Sequence, residues 1–345
     1  MKNTNYEIID IESRKQWDNF VTNRPEANFL QSFSFIEFHK RLGHKITRRA
    51  VTHDGQIVAV YSGYREPARR GAHLAIPGGP LMEWADMQVV RMVFRDIEAQ
   101  AAKMNCVFAR VRPQLEKSTK SMQLMKTLGA KKAPMYLSVE HAGVLDLTKP
   151  EDELLASMRR QTRYTIRRTE KDGVKISTTK DPEAIRSFFD IEVATAKRQK
   201  FIPFSFRFLQ TQFDEFAKHN EALLYTAKYE GEVLAQNFMI FYGPEASYHY
   251  AVSTEAGTKI SGSPLMHLHA IREAKKRGCI RYNFWGIVDE DDTKHRFFGV
   301  STFKRGFGVT ELKYTPAHDL VVNPLKYYAL TWPVEALRAR IRHVK

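Results

Sequence analysis

Apolar and polar positions alternate over residues 5–11, which predicts a strand, and a helical period with Trp17 and Phe20 inward predicts a helix over 13–22. Phe33, Phe35, Ile36, Phe38 and Leu42 carry a second helix over 30–42. It ends on His39, Lys40 and Arg41, where cations suit the helix dipole. Strand patterns over 47–52 and 57–64 flank Asp54 and Gly55, a hairpin signature. LAIPGGPL (74–81) reads as a strand entering a tight turn. A helix over about 85–103 and a strand over 106–111, stopped by Pro113, complete the unit.

The same order then recurs. Glu230 and Gly231 precede a strand over 233–242, SYHYAVS (247–253) takes the place of LAIPGGP, and a helix over 265–276 runs into KRGCIRYNFWG as the earlier one runs into KMNCVFARVRP. Gly231 follows Gly55 by 176 positions and Cys279 follows Cys106 by 173. Such spacing predicts two copies of one α/β unit. Between them, 145–147 reads as a strand, and Pro150 with Glu151 opens a helix running to about 168. Leu155, Met158, Thr162 and Ile166 line one face of that helix. Arg160, Arg163, Arg167 and Lys171 line the other, and Arg159, Arg168 and Lys175 add to the charge. The basic face reads equally as a solvated surface or as a polyanion contact. A helix over 182–197, a loop over 198–207 containing Phe201, Pro203, Phe204 and Phe206, and a helix to His219 follow, with no heptad insertion of coiled-coil length. Residues 320–322 add a strand. In the tail, 324–345, Leu330, Val334, Leu337 and Ile341 recur at helical spacing beside Arg338, Arg340, Arg342 and Lys345, a pattern for docking on the protein or lying on an anionic bilayer.

A chain of 345 residues has length for two domains, and 54 Lys and Arg against 39 Asp and Glu leave +15, which favours a polyanionic partner. Cys106 and Cys279 are too few for a disulfide framework, so the expected setting is a reducing cytoplasm. The start has no apolar h-region and no window is long and apolar enough to span a membrane, so neither secretion by a signal peptide nor a membrane span is expected.

The stretch 285–308, WGIVDEDDTKHRFFGVSTFKRGFG, is the hardest to explain by packing alone. A strand ends at Trp285, an acidic loop follows, and a short helix carrying Phe297 and Phe298 leads into Gly299, Phe303, Lys304, Arg305 and Gly306. Ligands of α/β sheets sit beyond strand ends. Lys304 is therefore the candidate for fixing an oxyanion or phosphate, with Phe303 stacking a base. Tyr248 and Tyr250 share one strand face, as core residues or as a site. His267 and His269 lie two apart on a helix, so they face apart and no metal site is expected. GVSTF around Ser301 lacks the second glycine of a nucleophile elbow, and no phosphate-binding P-loop is present. The loop 253–263, with Gly257 and Gly262, occupies the place where an acetyltransferase cradles a pyrophosphate, in degenerate form.

On LDLTKPEDELLASMRRQTRYTIRR (145–168), KDGVKI and GVSTFKRGFG (299–308), the chain resembles the FemABX family of aminoacyl-tRNA-dependent peptidyltransferases, in the compact form without a coiled-coil arm. The resemblance implies an α/β fold of two tandem N-acetyltransferase-like (GNAT) domains: 1–144 for precursor binding, 145–318 for aminoacyl-tRNA and catalysis, and 319–345 as a C-terminal segment on the first domain or the membrane surface. It implies transfer of an amino acid from aminoacyl-tRNA to the stem-peptide amine of a UDP-linked or lipid-linked peptidoglycan precursor. The implied chain is a monomer, cytoplasmic or at the inner face of the membrane, and needs no cofactor and no metal. The family's Phe-Lys pair falls on Phe303 and Lys304, and its precursor-channel tyrosines on Tyr248 and Tyr250, with Trp285 beside them. Its diphosphate-gripping cation falls among His39, Lys40 and Arg41, with Lys40 chosen, and its partner arginine between Arg198 and Arg207. The tRNA contacts fall on Arg159, Arg160, Arg163, Arg167, Arg168, Lys171 and Arg305. An acyl-CoA-dependent N-acyltransferase on the same fold, or a non-catalytic RNA-binding protein, are the alternatives.

Overall fold

The computed structural model describes residues 5–199 and 202–341; the expected loop residue Phe201 and tail residues Arg342 and Lys345 lie outside them. The chain divides into two units, 1–140 with 313–345, and 141–312.

The first unit opens with Tyr6–Asp10 (β1), Arg14–Val21 (α1), a 3-10 turn Phe29–Gln31 and Phe33–Arg41 (α2). Ile46–His53 (β2), Gln56–Glu66 (β3), His73–Gly78 (β4), Leu81–Met82 (β5), Met87–Lys103 (α3) and Phe108–Pro113 (β6) follow, then Thr119–Thr127 (α4) and Lys131–Lys132 (β7). The second unit runs His141–Asp146 (β8), Glu151–Ser157 (α5), Arg160–Lys171 (α6), Lys175–Thr179 (β9), Ile185–Gln199 (α7), Phe206–Ala217 (α8), Ala222–Tyr229 (β10), Glu232–Tyr242 (β11) and Glu245–Ser253 (β12). Ala256–Lys259 (α9), Ser263–Lys276 (α10), Arg281–Gly286 (β13), Phe298–Arg305 (α11) and Thr310–Lys313 (β14) complete it. The chain then returns to the first unit with His318–Val321 (β15), Pro324–Lys326 (α12), a π-helical turn Tyr327–Thr331 and Trp332–Ile341 (α13).

The repeat is visible as topology. One sheet runs β1-β2-β3-β4-β6-β15-β7, the other β9-β10-β11-β12-β13-β8-β14. Each contains a parallel pair, β4 with β6 and β12 with β13, and the hairpins β2–β3 and β10–β11 are antiparallel. Both hairpin turns are built alike, with Asp54 and Gly55, and Glu230 and Gly231, all at positive φ as a tight turn requires. The sixth strand of each sheet comes from an element outside the repeat, β15 in the first and β8 in the second. Apolar faces of α3 and α10 close the two cores: Val90, Val93 and Ile97 pack with Leu74, Ile76 and Val111, and Met266, Ala270 and Ile271 with Leu145, Tyr225 and Tyr282.

Two expectations are corrected. The single helix from Pro150 is two, because Met158 and Arg159 are extended and the Arg159 N–H is captured by the Gly306 carbonyl at 2.8 Å. The short helix expected to lead into the glycine and lysine run instead contains it: α11 starts at Phe298 and ends at Arg305, with Phe297 as its N-cap.

Candidate active site

The parallel pair β12/β13 is where the second sheet opens. Glu245, Ala246 and Ser247 pair with Arg281, Tyr282 and Asn283, and beyond that point Tyr248–Ser253 and Phe284–Gly286 no longer pair with each other. The two strands splay at their carboxyl ends, leaving a cleft in the sheet where a substrate reaches backbone and side chains. A register shift in β12 between its partners Phe238 and Met239 accompanies the splay. Trp285, at φ +66, holds a conformation uncommon for a bulky residue, and its N–H bonds Asn283 Oδ1 at 2.8 Å. In the first unit, by contrast, β4 and β6 stay paired from His73 and Phe108 to Gly78 and Pro113. That end is filled: the Gln31 amide donates to Ser62 O and Pro77 O and accepts from Ser62 N, and Asn28 donates to Gly78 O.

α11 delivers its lysine to the splay. Lys304 Nζ donates to Gly286 O at 2.7 Å and lies 5.7 Å from the centre of the Tyr248 ring. The residue is only 7% exposed, and burial without a carboxylate partner lowers its pKa to about 7. Half-buried Phe303, one residue earlier, packs against His267 and Phe307 at ring distances of 5.6 and 5.3 Å. Tyr248 meets His267 edge-on at 4.4 Å, and burial raises its hydroxyl pKa. Tyr250 takes part in the loop side of the sheet instead, against Phe204 at 4.9 Å and His249 at 3.8 Å. Tyr248 and Tyr250 thus do not share a face, because the register shift lies between their partners.

α11 is seated by the basic segment. Gly306 approaches Thr162 so closely that a Cβ would come within 2.7 Å of its hydroxyl, and a Cβ on Gly308, at φ +78, would meet Ser157 O at 2.6 Å. The two stretches that carry the family resemblance, 145–168 and 299–308, are therefore one structural joint. The basic residues divide accordingly. Arg159, Arg160, Arg167, Arg168 and Lys171 are exposed on and beside α6. Arg163 instead turns back to accepting carbonyls at the end of α5, Ala156 O at 2.9 Å and Met158 O. Arg305, 9% exposed, donates to Glu311 and Val288 O at 2.6 Å each. Arg163 is thus drawn from the exposed basic face on which the sequence put it, and Arg305, expected as a tRNA contact, is engaged within the protein, because uncapped carbonyls and a carboxylate lie within their reach.

Of the other candidates, Arg198 and Arg207 are exposed at the end of α7 and the start of α8. Lys40 is exposed in the first unit, 3.9 Å from Glu37. His39 is buried, stacked on Tyr64 at 3.4 Å, and desolvation with nearby His44 lowers its pKa to about 2. It is neutral and part of the core, so any positive charge at the end of α2 is carried by its neighbours.

Sequence reasoning weighed His267 only as a metal ligand and passed over Asn237. His267 is fully buried and neutral, its pKa lowered to about 3, first by desolvation and then by Lys304. Its Nδ1 is 2.7 Å from the Tyr282 hydroxyl, and its Nε2 has no partner among the described residues. Asn237 on β11 is 1% exposed with neither amide atom partnered. Buried polar groups without partners are uncommon. The glycines of the loop 253–263 have a packing cause: a Cβ on Gly257 would strike Leu234 O at 2.1 Å, and one on Gly262 would strike Ala227 at 2.8 Å.

Two mixed sheets with a splayed parallel pair define the tandem GNAT-like class. The tandem GNAT protein of clavulanic acid biosynthesis superposes with a TM-score of 0.57 at 12% identity, over 93% of this chain and 99% of that one. The crystal structure of FemX superposes with a TM-score of 0.86 at 18% identity, over 94% and 100%. The model of the FemAB family matches residues 13–233 and 209–332, and the chain belongs to that family. The lipid II:glycine glycyltransferase of Staphylococcus aureus (strain MRSA252) is 20% identical over 411 aligned residues, covering 96% of either chain.

Proposed function

We propose that the protein is a transferase of peptidoglycan bridge synthesis that moves an amino acid from aminoacyl-tRNA to the side-chain amine of a precursor stem peptide. Family membership and the similarity to lipid II:glycine glycyltransferases support the reaction class, and they favour a lipid-linked over a UDP-linked acceptor. The observation that carries the site is the splay of β12 and β13 with Lys304 Nζ buried beside it.

In the proposed step the neutral acceptor amine attacks the carbonyl carbon of the aminoacyl ester. The carbonyl oxygen takes the charge, the bond to the ribose oxygen breaks, and the proton lost by nitrogen ends on that oxygen, freeing the tRNA hydroxyl. Lys304 uses one N–H on Gly286 O, and its charged form donates another to the oxyanion, whose arrival favours protonation. Phe303 stacks the tRNA end, and Tyr248 and Trp285 line the acceptor path. The exposed Arg159, Arg160, Arg167, Arg168 and Lys171 meet the tRNA backbone, where charge rather than shape sets affinity. In the first unit Lys40 is the cation for the precursor diphosphate; in the second, exposed Arg198 and Arg207 are candidates for precursor contact.

The test is incubation with a pool of charged tRNAs and purified precursors, followed by mass analysis. A precursor heavier by aminoacyl residues is expected. No gain on any precursor, with turnover of acyl-CoA thioesters instead, overturns the proposal.

A further inference from the structure

The segment from α12 to α13 is held to the first unit by one side only. Tyr327, Thr331 and Ala339 are buried, and the Glu335 carboxylate accepts from Arg110 Nη2 at 2.6 Å. Arg110 also makes a two-pronged pair with Asp319, at 2.7 and 2.8 Å, and the Tyr327 hydroxyl donates to Asp319 at 2.8 Å. The opposite side carries Leu325 at 85% exposure, Tyr328, Leu330, Trp332, Leu337 and Ile341. Its charges are Lys326, Arg338 and Arg340, all exposed, while Glu335, the segment's one acid, is the residue turned inward. Isolated exposed apolar residues need no explanation, but a row of them with aromatics, flanked only by cations, does.

The row continues into a basic cavity. Lys131 Nζ bonds the Tyr328 hydroxyl and lies 4.7 Å from its ring centre. With Lys117, Lys126, Lys132 and Lys313 it lines a cavity of about 1120 Å³ whose walls, among the described residues, contain no carboxylate.

We infer that this face of the first unit seats on an anionic bilayer. Leucine and isoleucine enter the acyl boundary, Trp332 and Tyr328 lie at headgroup depth, and the lysines and arginines meet lipid phosphates. Aliphatic exposure at Leu325, Leu337 and Ile341 has no use against a nucleic-acid backbone, and the uniform positive charge disfavours a second copy of the same face. The inference does not depend on the proposed reaction, because binding is read without donor or acceptor.

The test is flotation of the full chain with phosphatidylcholine vesicles, with and without equimolar phosphatidylglycerol. Binding is expected only with the anionic lipid, weakened by high salt. Leu337→Glu with Ile341→Glu abolishes it, and Lys126→Gln with Lys132→Gln weakens it about thirtyfold. All four side chains are exposed, so unchanged circular dichroism melts separate lost binding from lost folding. Equal or absent binding to both vesicles overturns the inference. So does a wild-type dimer that the Glu variants dissociate, or lysine variants that lose RNA binding while vesicle binding is kept.

Discussion

A lysine set among aromatic rings with a single carbonyl for company is a poor host for a positive charge. Desolvation depresses Lys304 to about 7, whereas the unfolded chain titrates near 10.5. Between those values the unfolded state binds the extra proton, so stability rises with pH from about 7 to about 10.5, at most ~1.4 kcal/mol per unit, and this group adds no further pH dependence below about 7, where both states are protonated. NMR of isotopically labelled lysine is expected to find one amine titrating near 7 in the free protein. An ordinary lysine value there removes the electrostatic basis of the site. Lys304 was legible in the sequence as a lysine in an odd place. Its depressed pKa was not, because the burial comes from Tyr248 and His267, both distant along the chain.

At the scale of elements, the joint between α11 and the α5–α6 break decides whether that lysine is aimed. Gly308→Ala sets a Cβ against Ser157 O at a positive φ, with an expected loss of about 1–3 kcal/mol in urea denaturation and misplacement of Lys304. A stability change within about 0.5 kcal/mol would show that the joint is slack. Periodicity found most helices and both hairpins, since these are set by local turn chemistry. It missed the break at Met158 and Arg159, which is made by a carbonyl 147 positions away at Gly306. It also missed α4, whose STKSMQLMKT carries little apolar pattern, and the β12 register shift that separates Tyr248 from Tyr250.

For the whole molecule, the first sheet is finished by a strand that follows the second unit in sequence. β15 pairs with β6, and Arg110 between them is tied to Asp319, which is fully buried. Removing Asp319 leaves buried Arg110 with Glu335 as its remaining carboxylate, so Asp319→Ala is expected to cost about 1–3 kcal/mol and to raise proteolysis of the tail. An unchanged melt with a protected tail would contradict that role. The spacing predicted two copies of one unit, and both sheets carry a parallel pair at the same place. It did not give which one opens, because Gln31 and Asn28, which fill the first, lie outside the repeated pattern.

Chemistry at the second unit's splay is tested most directly by a single-turnover transfer assay with charged tRNA and lipid-linked precursor, comparing wild type with Lys304→Ala. The variant is expected to keep its fold and its affinity for precursor while the transfer rate falls about 10²–10³-fold. Transfer by Lys304→Ala at the wild-type rate would contradict it.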